Sequence, residues 1–263
     1  MLLKTIAASV LLASGWVDAL TPTQLFANKG TINDDWDAIF IDSGSQGSVA
    51  QVDNVFYESP TALKMTQTYT GYGGRYHAEV HKHNVYRKGD TGFYGFAFRL
   101  SSEWQFAPAQ SYNLAQFIAD FSDLPACAET YMPSSMLWLV GDQLQSRVKT
   151  GDVCPVRQQH TVPFADLATV SRGAWHKVVI QARWADDASG YYKIWFDGRS
   201  VLNQTGIATT VSDPRYFQFR VGLYANGWFD DDGGMKGSQP FRQVWFDEIA
   251  AGTKFADADP GQW

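Results

Sequence analysis

Short runs in which apolar and polar residues alternate recur along the chain: TALKMTQTYT at 61–70, RYHAEVHKH at 75–83, GFYGFAFRL at 92–100, NLAQFIADF at 113–121, SSMLWLVGD at 134–142, WHKVVIQARW at 175–184, YYKIWFDG at 191–198, YFQFRVGLY at 216–224 and RQVWFDEIA at 242–250. A period of two marks half-buried β-strands, and the period of an amphipathic helix is nearly absent. Turn-forming residues separate the runs at 71–74, Lys88-Gly89-Asp90, Asp197-Gly198 and 230–234. This pattern predicts an all-β fold, a jelly-roll sandwich of two antiparallel sheets. No Pro/Ser-rich linker and no repeat of about 20–50 residues interrupts it, so it reads as one domain.

Alternation gives each strand two faces. In YFQFRVGLY, Phe217, Phe219, Val221 and Leu223 form an apolar face, and Gln218, Arg220, Gly222 and Tyr224 the other. In RYHAEVHKH, Ala78 and Val80 point to the core, while Arg75, His77, Glu79, His81 and His83 share the opposite side; three of the chain's five histidines fall here. Gln116 falls opposite Ala115 and Phe117, although Leu114 and Ile118 then share its face. Tyr191, Lys193 and Trp195 stand against Ile194 and Phe196. If these polar faces line one concave cleft, it suits an extended acidic polysaccharide. The segment 93–100, Trp104, Trp175 and Trp184 are assigned to core or sheet packing, and the acidic run 230–232 to an exposed turn.

Composition narrows this picture. Aromatic residues make up 15% of the chain, consistent with β structure and sugar contacts, and a net charge of -6 argues against a nucleic-acid partner. The opening MLLKTIAASVLLASGWVDA places Lys4 ahead of an apolar run, with the small residues Val17 and Ala19 near its end. It reads as a signal peptide over 1–19, leaving a single domain over 20–263 in a secreted, extracellular protein. No other apolar run approaches the roughly 20 residues of a membrane span, so no membrane partner is expected. The mature protein is expected to be a monomer. In an oxidising compartment the only two cysteines, Cys127 and Cys154, are expected to be bridged. Asn203, in Asn203-Gln204-Thr205, heads an N-glycosylation sequon.

The polar face excludes several chemistries. HAEVH lacks the helical His-Glu-x-x-His spacing of zinc enzymes, although alternate strand residues such as His77 and His81 can chelate. No strand carries the alternating acids that flank a scissile bond in jelly-roll glycoside hydrolases, and no Gly-x-Ser-x-Gly elbow is present. What remains is Tyr224 with His77, Gln116 and arginines, a set suited to β-elimination from a uronan. That reaction removes the C5 proton, which is acidic enough only when the adjacent carboxylate is neutralised or hydrogen-bonded. Glutamine, protonated histidine or arginine can do this. Tyrosine can take the C5 proton and deliver one to the departing O4, because both lie on one side of the ring in β-1,4-linked glucuronate. The assignment is Tyr224, His77 and Gln116 as catalytic residues, with Arg75, Glu79, His81 and Arg220 binding substrate. Each could also serve only in packing or in ion pairs within the sheet. His77 could compete with Tyr224 as the base.

With these residues in place, the chain resembles the jelly-roll polysaccharide lyases, most closely the fungal glucuronan lyases. The resemblance runs through RYHAEVHKHNVYRKGDTGFYGFAFRLSSEW, NLAQFIADF, GAWHKVVIQARW with GYYKIWFDG, and FQFRVGLYANGW, in order over 75–228. Alginate lyases of similar fold carry Arg-x-Glu-x-Arg, Gln-x-His and Tyr-x-Lys-x-Gly-x-Tyr strands. Here the first becomes His77-Ala78-Glu79-Val80-His81, the second keeps Gln116 but has Ile118 for the histidine, and the third becomes the strand ending at Tyr224. The resemblance implies cleavage of polyglucuronate rather than alginate. It also implies a structural calcium ion between the chain's start and its last strand, with Asp247 and Asp37 as ligands chosen from that strand and from NDDWD. Those acids equally suit a solvated face. The rival functions are a lyase acting on another uronan such as alginate and a non-catalytic carbohydrate-binding module, which the same fold and aromatics would support.

Overall fold

A computed structural model describes residues 23–33, 35–58, 60–124 and 130–263. The leader at 1–19, Asp34 and Cys127 lie outside the described residues. Fifteen strands follow in order: β1 (Gln24–Asn28), β2 (Ala38–Ile41), β3 (Gln46–Val52), β4 (Ala62–Thr68), β5 (His77–Tyr86), β6 (Thr91–Leu100), β7 (Ser111–Asp120), β8 (Tyr131–Val140), β9 (Gln143–Gly151), β10 (Gln159–Thr169), β11 (Trp175–Arg183), β12 (Tyr191–Phe196), β13 (Arg199–Thr205), β14 (Phe217–Tyr224) and β15 (Phe241–Gly252). They form two antiparallel sheets, as the alternation predicts. One runs β13-β12-β11-β6-β15-β4-β3 with β1 against β15, and the other runs β10-β9-β8-β7-β14-β5-β2.

Apolar residues from the two inner faces fill the space between the sheets. Tyr86 stacks on Trp184 at 3.9 Å between ring centroids, and Tyr94 of β6 meets Phe117 at 4.8 Å and Phe219 at 5.8 Å edge to face, bringing β5, β7 and β14 onto the opposite layer. Several rings with a polar atom enter this core with partners. Trp184 Nε1 donates to Tyr94 Oη at 3.0 Å, and Tyr192 Oη lies 2.8 and 3.0 Å from the hydroxyls of Ser135 and Ser146. Trp104 and Trp184 are buried as expected, while Trp175 is half-buried. At the β12–β13 hairpin, Asp197 (φ 48) and Gly198 (φ 77) take the positive φ angles that a tight two-residue turn of matching twist requires.

Strand assignment to sheets corrects one expectation. Tyr191, Lys193 and Trp195 lie on β12, in the eight-stranded sheet, and do not join the polar face of β5, β7 and β14. A bulge settles the ambiguity in β7: the register shifts between Asn113 and Ala115, so Leu114 turns into the core while Gln116 and Ile118 face outward.

Candidate active site

The outer face of the seven-stranded sheet carries an open groove of about 760 Å³. Its side chains stand in rows across the strands, set by the register. Gln116 on β7 pairs with Arg220 on β14, Arg220 with His81 on β5, and His81 with Ala38 on β2. One row along, Gly222 pairs with Glu79; beyond it Tyr224 pairs with His77 on one side and Asn113 on the other. Three strands distant in sequence thus bring the predicted residues together.

Tyr224 is only 5% exposed, and its hydroxyl is buried without a hydrogen-bond partner. The other buried tyrosine hydroxyls described above are satisfied, so this one stands apart. Its ring stacks on His77, with centroids 3.7 Å apart and planes at 19°. His77 is held from behind: Asp42 Oδ2 lies 2.6 Å from His77 Nδ1 and also accepts the His77 backbone N–H at 2.8 Å. One carboxylate oxygen therefore fixes both backbone and ring, placing the Nδ1 proton toward Asp42.

Glu79 is fully buried and does not line the groove, which corrects its expected role in touching substrate. It lies beneath the polar row and ties it together. Gln116 Nε2 donates to its two oxygens at 2.8 and 3.1 Å, and His81 Nε2 stands 3.6 Å from Oε2. Glu79 reaches Gln116 by crossing β14 at Gly222. A Cβ there would stand 2.6 Å from Glu79 Cα and 2.4 Å from the Ala78 carbonyl oxygen, so the crossing needs glycine. Burial alone would raise the Glu79 carboxyl. The charges of His77, His81 and Arg220 and the contact with His81 outweigh it and hold the carboxyl down at about 2. Burial lowers His81, against the pull of Glu79, and lowers Arg220 in the same way. Arg220 Nε donates to Gln218 Oε1 at 2.9 Å, and its guanidinium lies 5.1 Å from the Tyr131 ring.

Arg75 sits at the rim, paired with Asp230 at 3.1 Å. The acidic turn is more than a solvated loop: Asp230 and Asp231 line the groove, and Asp231 accepts from Ser111 and from Asn226. The sequence reading missed Asp42, Trp138, Arg147 and Lys149 as groove residues. For the last two a signal existed, since Gln145, Arg147 and Lys149 alternate with buried Ser146 and Val148 along β9.

The calcium pair is not brought together. Asp37 lies against β5, accepting the His83 backbone N–H at 2.7 Å, whereas Asp247 on β15 accepts from the backbone N–H groups of Tyr57 and Glu248 at 2.7 and 2.8 Å. Among the described residues no group of three or more His, Cys, Asp or Glu side chains converges. The acid beside Asp247 is Glu248, whose Oε2 is buried without a partner. Burial, then the charge of Asp247, push its carboxyl up to about 7. With one open oxygen beside the Asp247 carboxylate, Glu248 suits a hard cation better than Asp37 does. Cys154 is disulfide-bonded. Asn203 is exposed on the edge strand β13.

Comparison with known proteins places this geometry. The sequence matches the model of the polysaccharide lyase family over residues 27–250. Among solved structures, the endo-β-1,4-glucuronan lyase from the fungus Trichoderma reesei is 53% identical and superimposes with a TM-score of 0.87, covering 92% of this chain and 100% of that one. An alginate lyase from Aplysia kurodai (10% identity, TM-score 0.58, 88% and 100% covered) and one from Chlorella virus (9% identity, TM-score 0.54, 84% and 93% covered) share the fold alone. No curated protein matches. With its two-sheet fold, its Tyr224–His77–Gln116 constellation and a family match across most of its length, this chain belongs to the polysaccharide lyase family.

Proposed function

We propose that this lyase cleaves β-1,4-linked polyglucuronate by β-elimination. The observation that carries the reading is the partnerless Tyr224 hydroxyl against a histidine fixed by Asp42, beside the buried Arg220. Likeness to a glucuronan lyase at 53% identity supports the choice of uronan, and Ile118 in place of a histidine on β7 weighs against alginate. Arg220 supplies a permanent positive charge for the substrate carboxylate. Glu79 takes one proton of the Gln116 amide and leaves the second for the same carboxylate. Tyr224, entering the step as the phenolate, removes the C5 proton; the C5 electron pair forms the C4–C5 double bond, the C4–O4 bond breaks, and O4 leaves with that proton, which restores the phenolate. With Nδ1 engaged by Asp42, His77 has Nε2 left for the substrate. The protein acts outside the cell as a monomer after losing its leader.

The test is a panel of uronans, polyglucuronate and alginate included, read by the ultraviolet absorbance of the unsaturated product. Tyr224→Phe is expected to lower kcat by about 10²–10⁴-fold while polysaccharide binding persists. An active Phe variant would mean that another group is the base. Absorbance that stays flat on every uronan would favour a binding module.

The expected calcium ion is assigned to Asp247 with Glu248. There it would compensate two adjacent buried carboxylates and take no part in the elimination.

A further inference from the structure

The row that holds Tyr224 continues past the reacting centre. Tyr224 pairs with Asn113 on β7, and Asn113 with Trp138 on β8. The row of Arg220 and Gln116 continues likewise through Met136 on β8 to Arg147 on β9. Trp138 pairs with Gln145, so Arg147, two residues along β9, is its diagonal neighbour at a distance long side chains can span. Both line the groove.

Trp138 differs from the tryptophans of the core. Trp104, Trp184 and Trp228 are buried within ring clusters, whereas Trp138 is half-buried and packs against no other aromatic ring among the described residues. Its indole lies on the groove wall, where a flat apolar face suits the C–H face of a sugar ring. Arg147 Nη2 meets Met136 Sδ at 2.9 Å, which holds the guanidinium on the groove side of β8. Two strand spacings from Tyr224 to Trp138 come to about 10 Å, the length of about two sugar rings in an extended β-1,4 chain.

We infer a distal subsite for a uronate residue at Trp138 and Arg147, about two rings from the bond that breaks, with the sugar ring on the indole and its carboxylate on the guanidinium. The inference rests on the uronan reading above and adds to it a chain-length requirement. A dimer bound across the reacting centre cannot reach the subsite; a hexamer can. Occupancy there gains a stacking contact and a charge-assisted hydrogen bond, so the enzyme favours cuts inside long chains.

Calorimetric binding of oligoglucuronates of two and six residues tests this, with Tyr224→Phe as the common background so that ligand is not consumed. Adding Trp138→Ala or Arg147→Ala is expected to lower the hexamer-to-dimer affinity ratio by about tenfold or more. Arg147→Ala is expected also to flatten the salt dependence of hexamer binding, which a merely structural role would not do. A ratio unchanged by both substitutions overturns the subsite. Should oligoglucuronates neither bind nor yield unsaturated product with the unsubstituted enzyme while another uronan series does, the substrate reading fails, and the same ratio on that series decides the subsite.

Discussion

Replacing Glu79 by glutamine removes the charge beneath the polar row and keeps the shape. The carboxyl sits at about 2 in the folded protein against 4.5 for an ordinary glutamate, a gap corresponding to about 3 kcal/mol of folding stability. The direction is fixed by proton counting. Above 4.5 the carboxylate is ionised in both states and the full contribution is present. As pH falls below 4.5 the unfolded chain takes up a proton that folded Glu79 refuses, and the contribution drains away until about pH 2. The difference in unfolding free energy between wild type and Glu79→Gln, measured by denaturant titration, should therefore be about 3 kcal/mol near pH 5 and shrink steadily in stronger acid. Other carboxylates with lowered values, Asp186 and Asp197 among them, cancel in this difference because both proteins carry them. Turnover should fall as well, since Gln116 and His81 lose the group that positions them. A difference that stays constant from about pH 5 down to about pH 3, or that grows in acid, would refute the account of Glu79 as a charge stabilised by its neighbours.

Tyr224→Phe should raise stability by about 1 kcal/mol in thermal unfolding, because it deletes a buried hydroxyl that has no partner. Asp42→Asn should cut kcat by something on the order of 100-fold with KM changed far less, through loss of the proton arrangement at His77; steady-state kinetics would show it, and a change in KM alone would reduce Asp42 to a folding contact. Gly222→Ala should cost about 1–3 kcal/mol and lower kcat, since the new methyl forces Glu79 off its path to Gln116. Glu248, raised to about 7, holds its proton in the fold where the unfolded chain has lost it, so in chelator stability should fall as pH rises from 4.5 to about 7. Added calcium should abolish that decline in the wild type and have no such effect in Glu248→Gln.

Strand alternation made the two layers and the polar faces of β5 and β14 legible, because a period of two needs only the local sequence. It placed His77, Gln116, Arg220 and Tyr224 on the face where the structure has them. Depth was not legible: Glu79 alternates with Ala78 and Val80 just as His77 and His81 do, yet it lies under the row because Gly222, on the neighbouring strand of the sheet but far along the sequence, opens a path for it. Sheet membership was not legible either, and YYKIWFDG reads like a groove strand while belonging to the other layer. Asp42 follows β2 in a segment with no period at all, so only the fold reveals that it backs His77. The bulge in β7 left the direction of Leu114 undecided until the register was known.

The cationic row in the groove belongs to a molecule whose net charge is -6, and this sets up a contest that depends on ionic strength. At about 0.01 M salt the screening length of about 30 Å lets a polyanion sense the whole repelling protein. Near 0.1 M it contracts to about 10 Å, and an approaching chain senses mainly the groove, where Arg75, Arg147, Lys149 and Arg220 outnumber Asp42, Asp230 and Asp231. Salt then speeds encounter before it weakens the bound complex. Capture of substrate should accordingly peak at an intermediate ionic strength, where the bulk of the protein has fallen electrostatically silent and the groove has not.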